Sequence, residues 1–293
     1  VETIYYMYSN NDVETLSQTE VTDKEEELSS GLKWISFKQK FFSYALVSKD
    51  SFEDAFVEMR TKTRPSNSRY QKSMSAIIDI PFDGFNEDNT IGMSYYFGPN
   101  DFKELRQYDI NLEKQIPLGG KLVAWINRLV VIPVFDWLGQ YGWSYGVVIL
   151  ILTLIIKICL MPIAFKSYMS SAKMRVLKPE IDVINEKYPK QEDAMKKQQA
   201  IMDLYKKAGA SPTSGCLPML LQFPILIAIF RFFPSSIELR QQPFLWADDL
   251  STYDSILDLP FNIPFYGDHV SLFTLLMTAS TLLYTYINNK QMK

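Results

Sequence analysis

Residues 143–165, WSYGVVILILTLIIKICLMPIAF, form an apolar segment of membrane length with one charge, Lys157, inside it. About 20 predominantly apolar residues suffice to cross the hydrocarbon core. A lysine at the centre of such a helix costs roughly 2.5–3.5 kcal/mol on insertion scales, and an ammonium kept at that cost usually faces a bundle interior or a wet cavity. Snorkelling is the alternative. The next strongly polar residue along the chain is Lys166. It lies about 13 Å further along a helix axis, and a lysine stem covers only part of that distance. Trp143, in the other direction, is further still. The segment is therefore expected to border a polar place inside the membrane.

Two further segments qualify as spans. CLPMLLQFPILIAIFRFF (216–233) is short and carries Pro218 and Pro224; prolines are tolerated in spans because neighbouring helices can satisfy the freed backbone groups. HVSLFTLLMTASTLLYTYI (269–287) has five Ser and Thr residues after Leu272, a composition suited to packing against other helices as well as lipid. Arg231, near the end of the second span, reads as a snorkelling anchor. The connecting segments differ sharply in charge. Loop 166–215 holds ten Lys/Arg and six Asp/Glu, whereas loop 234–268 holds one Arg and six Asp/Glu; Lys290 and Lys293 follow the third span. The positive-inside rule places 166–215 and the C-terminus in the cytoplasm, and 1–142 and 234–268 outside. These placements agree with three consecutive crossings.

The outer part carries 15 Lys/Arg against 21 Asp/Glu over residues 1–142. Residues 1–118 read as a β-sandwich domain. LKWISFKQKFFSYALVS (32–48) and YQKSMSAIIDIPF (70–82) are rich in aromatic and β-branched residues. The clusters RPSNS (64–68), DGFNEDN (83–89) and GPND (98–101) divide the strands. Residues 119–142 resemble a span in hydropathy but contain Lys121, Arg128, Asp136 and Pro133. Leu122, Trp125, Ile126, Leu129 and Val130 fall near helical spacing, which predicts an amphipathic helix in the outer interface, with an aromatic belt of Trp125, Trp137, Tyr141, Trp143 and Tyr145. Loop 166–210 predicts an antiparallel helical hairpin, turning at Tyr188-Pro189, loosened at Pro179 and closed by Gly209. Its cations Lys173, Arg175, Lys178, Lys196 and Lys197 are either a solvated face that sets topology or a landing surface for acidic headgroups, RNA or a partner protein.

Several chemistries are excluded. The single histidine, His269, cannot build a multi-histidine metal site, and neither a GxxxxGK[ST] nor a GxGxxG loop is present. The two cysteines, Cys159 and Cys216, are not spaced as a metal knuckle and read as small buried hydrophobes. No secretory signal opens the chain, so an anchor or signal is expected ahead of VETIYY.

ILTLIIKICLMPIAFKSYMSSAKMRVLKPEI (151–181), YKKAGASPTSGCLPMLLQFPILIAIFRFF (205–233) and SSIELRQQPFLWADDLS (235–251), with the basic hairpin between the first two, resemble the YidC-type membrane protein insertases. That family includes the mitochondrial oxidase-assembly and chloroplast Albino insertases. GLKWISFKQKFF (31–42) and YYFGPNDFKEL (95–105) also look like the outer domain of its Gram-negative branch. The resemblance implies an α-helical polytopic inner-membrane protein with a periplasmic β-sandwich (1–118), an interfacial helix (119–142) and an insertase core (143–293). It further implies a hydrophilic groove open to cytoplasm and lipid but closed to the outside. The family's mid-helix basic residue falls on Lys157, which keeps the charge but lacks a guanidinium fork. Thr153 and Gln222 match other polar groove positions; ordinary interhelical hydrogen bonds are their alternative reading. The family also has an N-terminal anchor helix, two core spans after the third one here and a larger outer domain.

The expected function is insertion and folding assistance for membrane proteins, without covalent chemistry, cofactor or metal. Lys157 would attract acidic residues of a substrate tail, and the substrate's apolar helix would partition sideways into lipid. Expected partners are nascent membrane proteins and membrane lipids, with the ribosome and the Sec translocon as further candidates and no specific nucleic-acid site. Two rivals stand beside this reading. An intramembrane Lys site could serve a small-solute or ion transporter or channel, although no inverted repeat is visible. The outer β domain could bind carbohydrate, although Trp34 alone is a weak stacking platform.

Overall fold

The computed structural model describes residues 2–16, 23–28, 31–52, 56–63, 72–80, 91–189, 193–209, 217–264 and 266–292. The clusters 64–68 and 83–89, and Cys216, lie outside them. The chain divides into two compact units, Val1–Pro117 with Phe233–Ile237, and Leu118–Phe232 with Glu238–Lys293.

The first unit is built from strands β1 (Thr3–Tyr8), β2 (Val13–Thr15), β3 (Lys24–Leu28), β4 (Leu32–Lys38), β5 (Phe42–Phe52), β6 (Phe56–Thr63), β7 (Lys72–Asp79) and β8 (Met93–Pro99). They form two antiparallel sheets, ordered β2-β1-β4-β5-β8 and β3-β6-β7. Period-two alternation decides which side chains meet. Ile4, Tyr6, Ile35 and Phe37 of the larger sheet share one core with Val57 and Met59 of β6, against which Met74, Ala76 and Ile78 of β7 pack. Two sheets closing one core make the sandwich that the aromatic and β-branched runs predict. The smaller sheet's acidic strand is held by charge: Arg60, opposite Glu25 in register, pairs with Glu25 at 2.6 Å and also with Glu58.

β1 and β4 are buried on both faces, so the aromatic and aliphatic residues of both run beyond one alternating set, and the polar Ser36 and Lys38 of β4 are buried with them. The second face of β4 is covered by residues 102–117, starting with the short helix α1 (Phe102–Arg106), which Asp101 caps through the Glu104 N–H at 2.7 Å. The Trp34 Nε1–H donates to the Ile110 carbonyl at 2.9 Å, and the Ser36 hydroxyl donates to Gln115 Oε1 at 2.6 Å. Gln115 Nε2 in turn donates to Ser43 Oγ at 3.2 Å. Trp34 is thus a core residue and not a surface stacking platform.

The second unit is helical, with a β9–β10 hairpin (Leu257–Ile263 and Gly267–Val270) inside loop 234–268 that sequence reasoning did not anticipate. α2 (Lys121–Ile126) runs through a π turn at Asn127–Val131 into α3 (Ile132–Gly139). α4 (Tyr145–Val176) is one continuous helix of 32 residues. At 1.5 Å per residue it is about 48 Å long and outlasts the expected span 143–165. It stops at Leu177, and Pro179 stands in the first turn of α5 (Lys178–Lys187), where a missing N–H costs nothing. α6 (Ala194–Lys207) packs on α5 and ends at Gly209, whose φ of 60° is the left-handed closing conformation. α7 (Leu217–Phe232) and α8 (Leu272–Met292) are the remaining apolar helices. Among the described residues, the stretches Lys121–Gly139 and Tyr145–Val176 are long and apolar enough to cross a membrane.

Candidate functional site: a polar band in the helical unit

Phe135 of α3 fixes one pole of the helical unit. Its ring stacks on Tyr145 at the start of α4 (5.6 Å) and meets Phe232 at the end of α7 edge-on (5.2 Å). α4 therefore leaves this pole as α7 arrives at it. Depth along both helices can be counted from here at 1.5 Å per residue. Thr153 lies about 12 Å from the pole, Gln222 about 15 Å and Lys157 about 18 Å. The three sequence-predicted groove residues fall in one band about 6 Å deep.

Within that band, the structure joins two of them on one surface. Thr153 and Lys157 are one helical turn apart and both exposed. Val148 and Leu152 form the buried stripe of α4. At 100° per residue, Thr153 and Lys157 stand about 100–140° around the helix from Leu152, on an open flank. The Thr153 hydroxyl donates to the Ile149 carbonyl of its own helix at 2.8 Å, so its lone pairs face outward and it makes no interhelical donor bond. Gln222 sits half-buried on α7, two residues before Pro224. Pro224 lacks the N–H that would bond the Leu220 carbonyl, which adds an acceptor to the same helix.

Cys159 is exposed on α4, which corrects the reading of it as a buried small hydrophobe. The reason is that α4 is apolar around most of its circumference but packed along only one stripe.

The predicted basic residues spread over three helices. Lys173 and Arg175 are exposed in the last turn of α4, where cations suit the carbonyl end of the helix. Lys178 is exposed in the first turn of α5, where they do not, so its charge is not there to stabilise that helix. Lys196 pairs with Asp193 at 3.3 Å, and Lys197 is half-buried.

One structural anchor escaped sequence reasoning. Asn127, inside the π turn, is fully buried; its Nδ2 donates to the Leu118 carbonyl (3.2 Å) and to the Ala228 carbonyl of α7 (3.0 Å). It pins the α2–α3 helix to α7. The available signal was an amide inside an apolar helical run, a position where a polar group must find partners. The opposite face of this helix is open, with Leu122, Trp125 and Leu129 each more than half exposed.

Comparison with known proteins agrees on both halves. Residues 137–293 match the family model described as "60Kd inner membrane protein", and residues 2–133 match the one described as "YidC periplasmic domain". The chain is 51% identical over 292 residues to the membrane protein insertase YidC of Bacteroides fragilis, covering 98% of this chain and 46% of that protein. Against the YidC of Parabacteroides distasonis it is 47% identical over 298 residues, covering 98% of this chain and 46% of that protein. Against that of Amoebophilus asiaticus the values are 41% over 288 residues, 98% and 48%. The chain thus spans about half the length of the curated relatives it matches. A crystal structure of an active YidC insertase aligns over 80% of this chain and 64% of that chain at TM-score 0.33 and 18% identity, a likeness too weak to add to the assignment. The chain belongs to the YidC family of inner-membrane proteins, with a YidC periplasmic domain in its first half.

Proposed function

We propose that the chain supplies part of a membrane protein insertase, with Lys157, Thr153 and Gln222 on the wall of a hydrophilic groove. The observation that carries this reading is the polar band, where a cation and a hydroxyl share one open flank of an otherwise apolar helix. Moving a polar tail across hydrocarbon is costly because charges and unpaired backbone groups lose water. A wet half-path shortens the dry distance, and a cation at its end holds acidic residues of the tail transiently. Burial of the substrate's apolar helix in lipid then drives the step. Curated relatives at 41–51% identity bear the name insertase, which supports the same reading.

The proposed topology puts residues 1–142 and 234–268 in the periplasm, and the α5–α6 hairpin and C-terminus in the cytoplasm. The loop charges support it. The α2–α3 stretch is long enough to cross, yet the periplasmic family model extends through residue 133, into that helix. An interfacial helix with Leu122, Trp125 and Leu129 toward lipid reconciles the two. The basic hairpin surface, Lys173, Arg175, Lys178, Lys196 and Lys197, then receives the nascent chain, the ribosome or the Sec translocon.

The test replaces Lys157 in the full-length protein and follows insertion of a substrate with an acidic periplasmic tail. Lys157→Arg should retain insertion, and Lys157→Ala and Lys157→Glu should lower it progressively. Equal insertion by all three would remove Lys157 from the mechanism.

A further inference from the structure

The segment PFLWADDLS (243–251) lies in the outer loop and touches two helices. Phe244 and Ala247 exchange backbone hydrogen bonds (2.8 and 3.0 Å) across a tight turn, at whose first corner Leu245 has a φ of 57°. The Leu250 N–H donates to the Gln242 carbonyl at 3.0 Å and closes the loop further. This turn projects two rings in different directions. Phe244 lies against Gly146 in the first turn of α4 so closely that a Cβ there would overlap the ring. Trp246 packs on Phe273 in the first turn of α8, ring centroids 4.5 Å apart.

A buried carboxylate secures the α8 side. Asp254 accepts from the Trp246 indole N–H (2.8 Å), the Phe273 backbone N–H (2.9 Å) and the Ser271 hydroxyl. Burial alone would raise its pKa, but these bonds outweigh burial and hold it below the usual carboxylate range. Removing the carboxylate would leave the indole and the helix-end N–H buried without an acceptor.

We propose that residues 242–254 form a clasp that fixes the spacing between the outer ends of α4 and α8, with Phe244 and Trp246 as its two prongs and Asp254 as its lock. Trp246 and Asp254 are then positioning residues: they touch no substrate but set the distance between α8 and α4, the helix that carries Lys157 and Thr153, at the end where the groove must stay closed to the periplasm. This role rests on the insertase reading; the clasp itself does not. Leu245, at the turn's tip, is exposed and takes no part.

The experiment places spin labels at Leu150 of α4 and Leu276 of α8 in the full-length protein in lipid nanodiscs and measures their distance distribution by double electron–electron resonance. The clasp predicts one narrow distance in the unaltered loop and in Leu245→Ser. It predicts loss of that narrow peak in Trp246→Ala, Asp254→Asn and Gly146→Leu, and partial retention in Trp246→Phe, which keeps the ring but lacks the N–H. An unchanged distribution in Trp246→Ala and Asp254→Asn would overturn the clasp, whatever happens to insertion. A lost peak with undiminished substrate insertion would support the clasp and count against the groove reading.

Discussion

Three single residues show how a polar group inside apolar surroundings can mean different things. Lys38 at the end of β4 is buried, and loss of hydration lowers its pKa from 10.5 to about 8, with Glu2 pulling the other way. The folded state therefore releases its proton before the unfolded state does. Below pH 8 both states are charged and the burial cost is present in full. Between pH 8 and 10.5 the unfolded chain binds more protons, so stability of the β-sandwich should rise with pH, by up to about 3 kcal/mol from this residue. Urea unfolding across that window checks this, and Lys38→Met should flatten the rise. Asn127 is polar because it pins two helices. Asn127→Ala should cost about 1–2 kcal/mol and raise amide exchange in α2 and its π turn. Lys157, by contrast, lies on open surface with no such structural task. Asn127 and Lys157 stand in apolar runs and Lys38 in a polar stretch beside Phe37; only the packing around each separates a burial cost, a pin and an exposed cation, and packing is not written locally in the sequence.

At the scale of elements, legibility followed period. The 32–48 run shows strand character and folds as β4 and β5; Pro179 and Gly209 mark a helix start and stop where their backbone chemistry requires it. The β9–β10 hairpin was missed because LDLPFNI, although it alternates, carries Pro260 in mid-run, which argues against a strand. The stretch KSYMSSAKMRV was read as the first arm of the hairpin; that it continues the span without a break as α4 was missed, because it has good helix formers and nothing that stops a helix before Leu177. The α2–α3 stretch is the element whose environment composition leaves most open. If it lies in the interface, Trp125 fluorescence in vesicles should be quenched most by probes near the headgroups, with Trp34, Trp137, Trp143 and Trp246 replaced by Phe. Strongest quenching by probes at the bilayer centre would instead make it a span.

For the whole molecule, the two halves report different physics. A sandwich that closes its own core needs no membrane, whereas α4, α7 and α8 expose large apolar side chains along most of their lengths. The orientation proposed for the second half rests on charge asymmetry, and that asymmetry is legible in the sequence because the positive-inside rule counts residues without needing their contacts. The proposed groove was legible only as Lys157 and, through family resemblance, Thr153 and Gln222; the common depth of the three required Phe135 to fix the pole of the helical unit. A one-sided groove makes a topological demand that one measurement meets directly. Lys157→Cys, in full-length protein with Cys159 and Cys216 changed to Ser, is exposed in native membranes to a membrane-impermeant thiol reagent from each side. Labelling from the cytoplasmic side alone is the expected result. Labelling from the periplasmic side, or from neither, would contradict a wet groove that opens inward at Lys157.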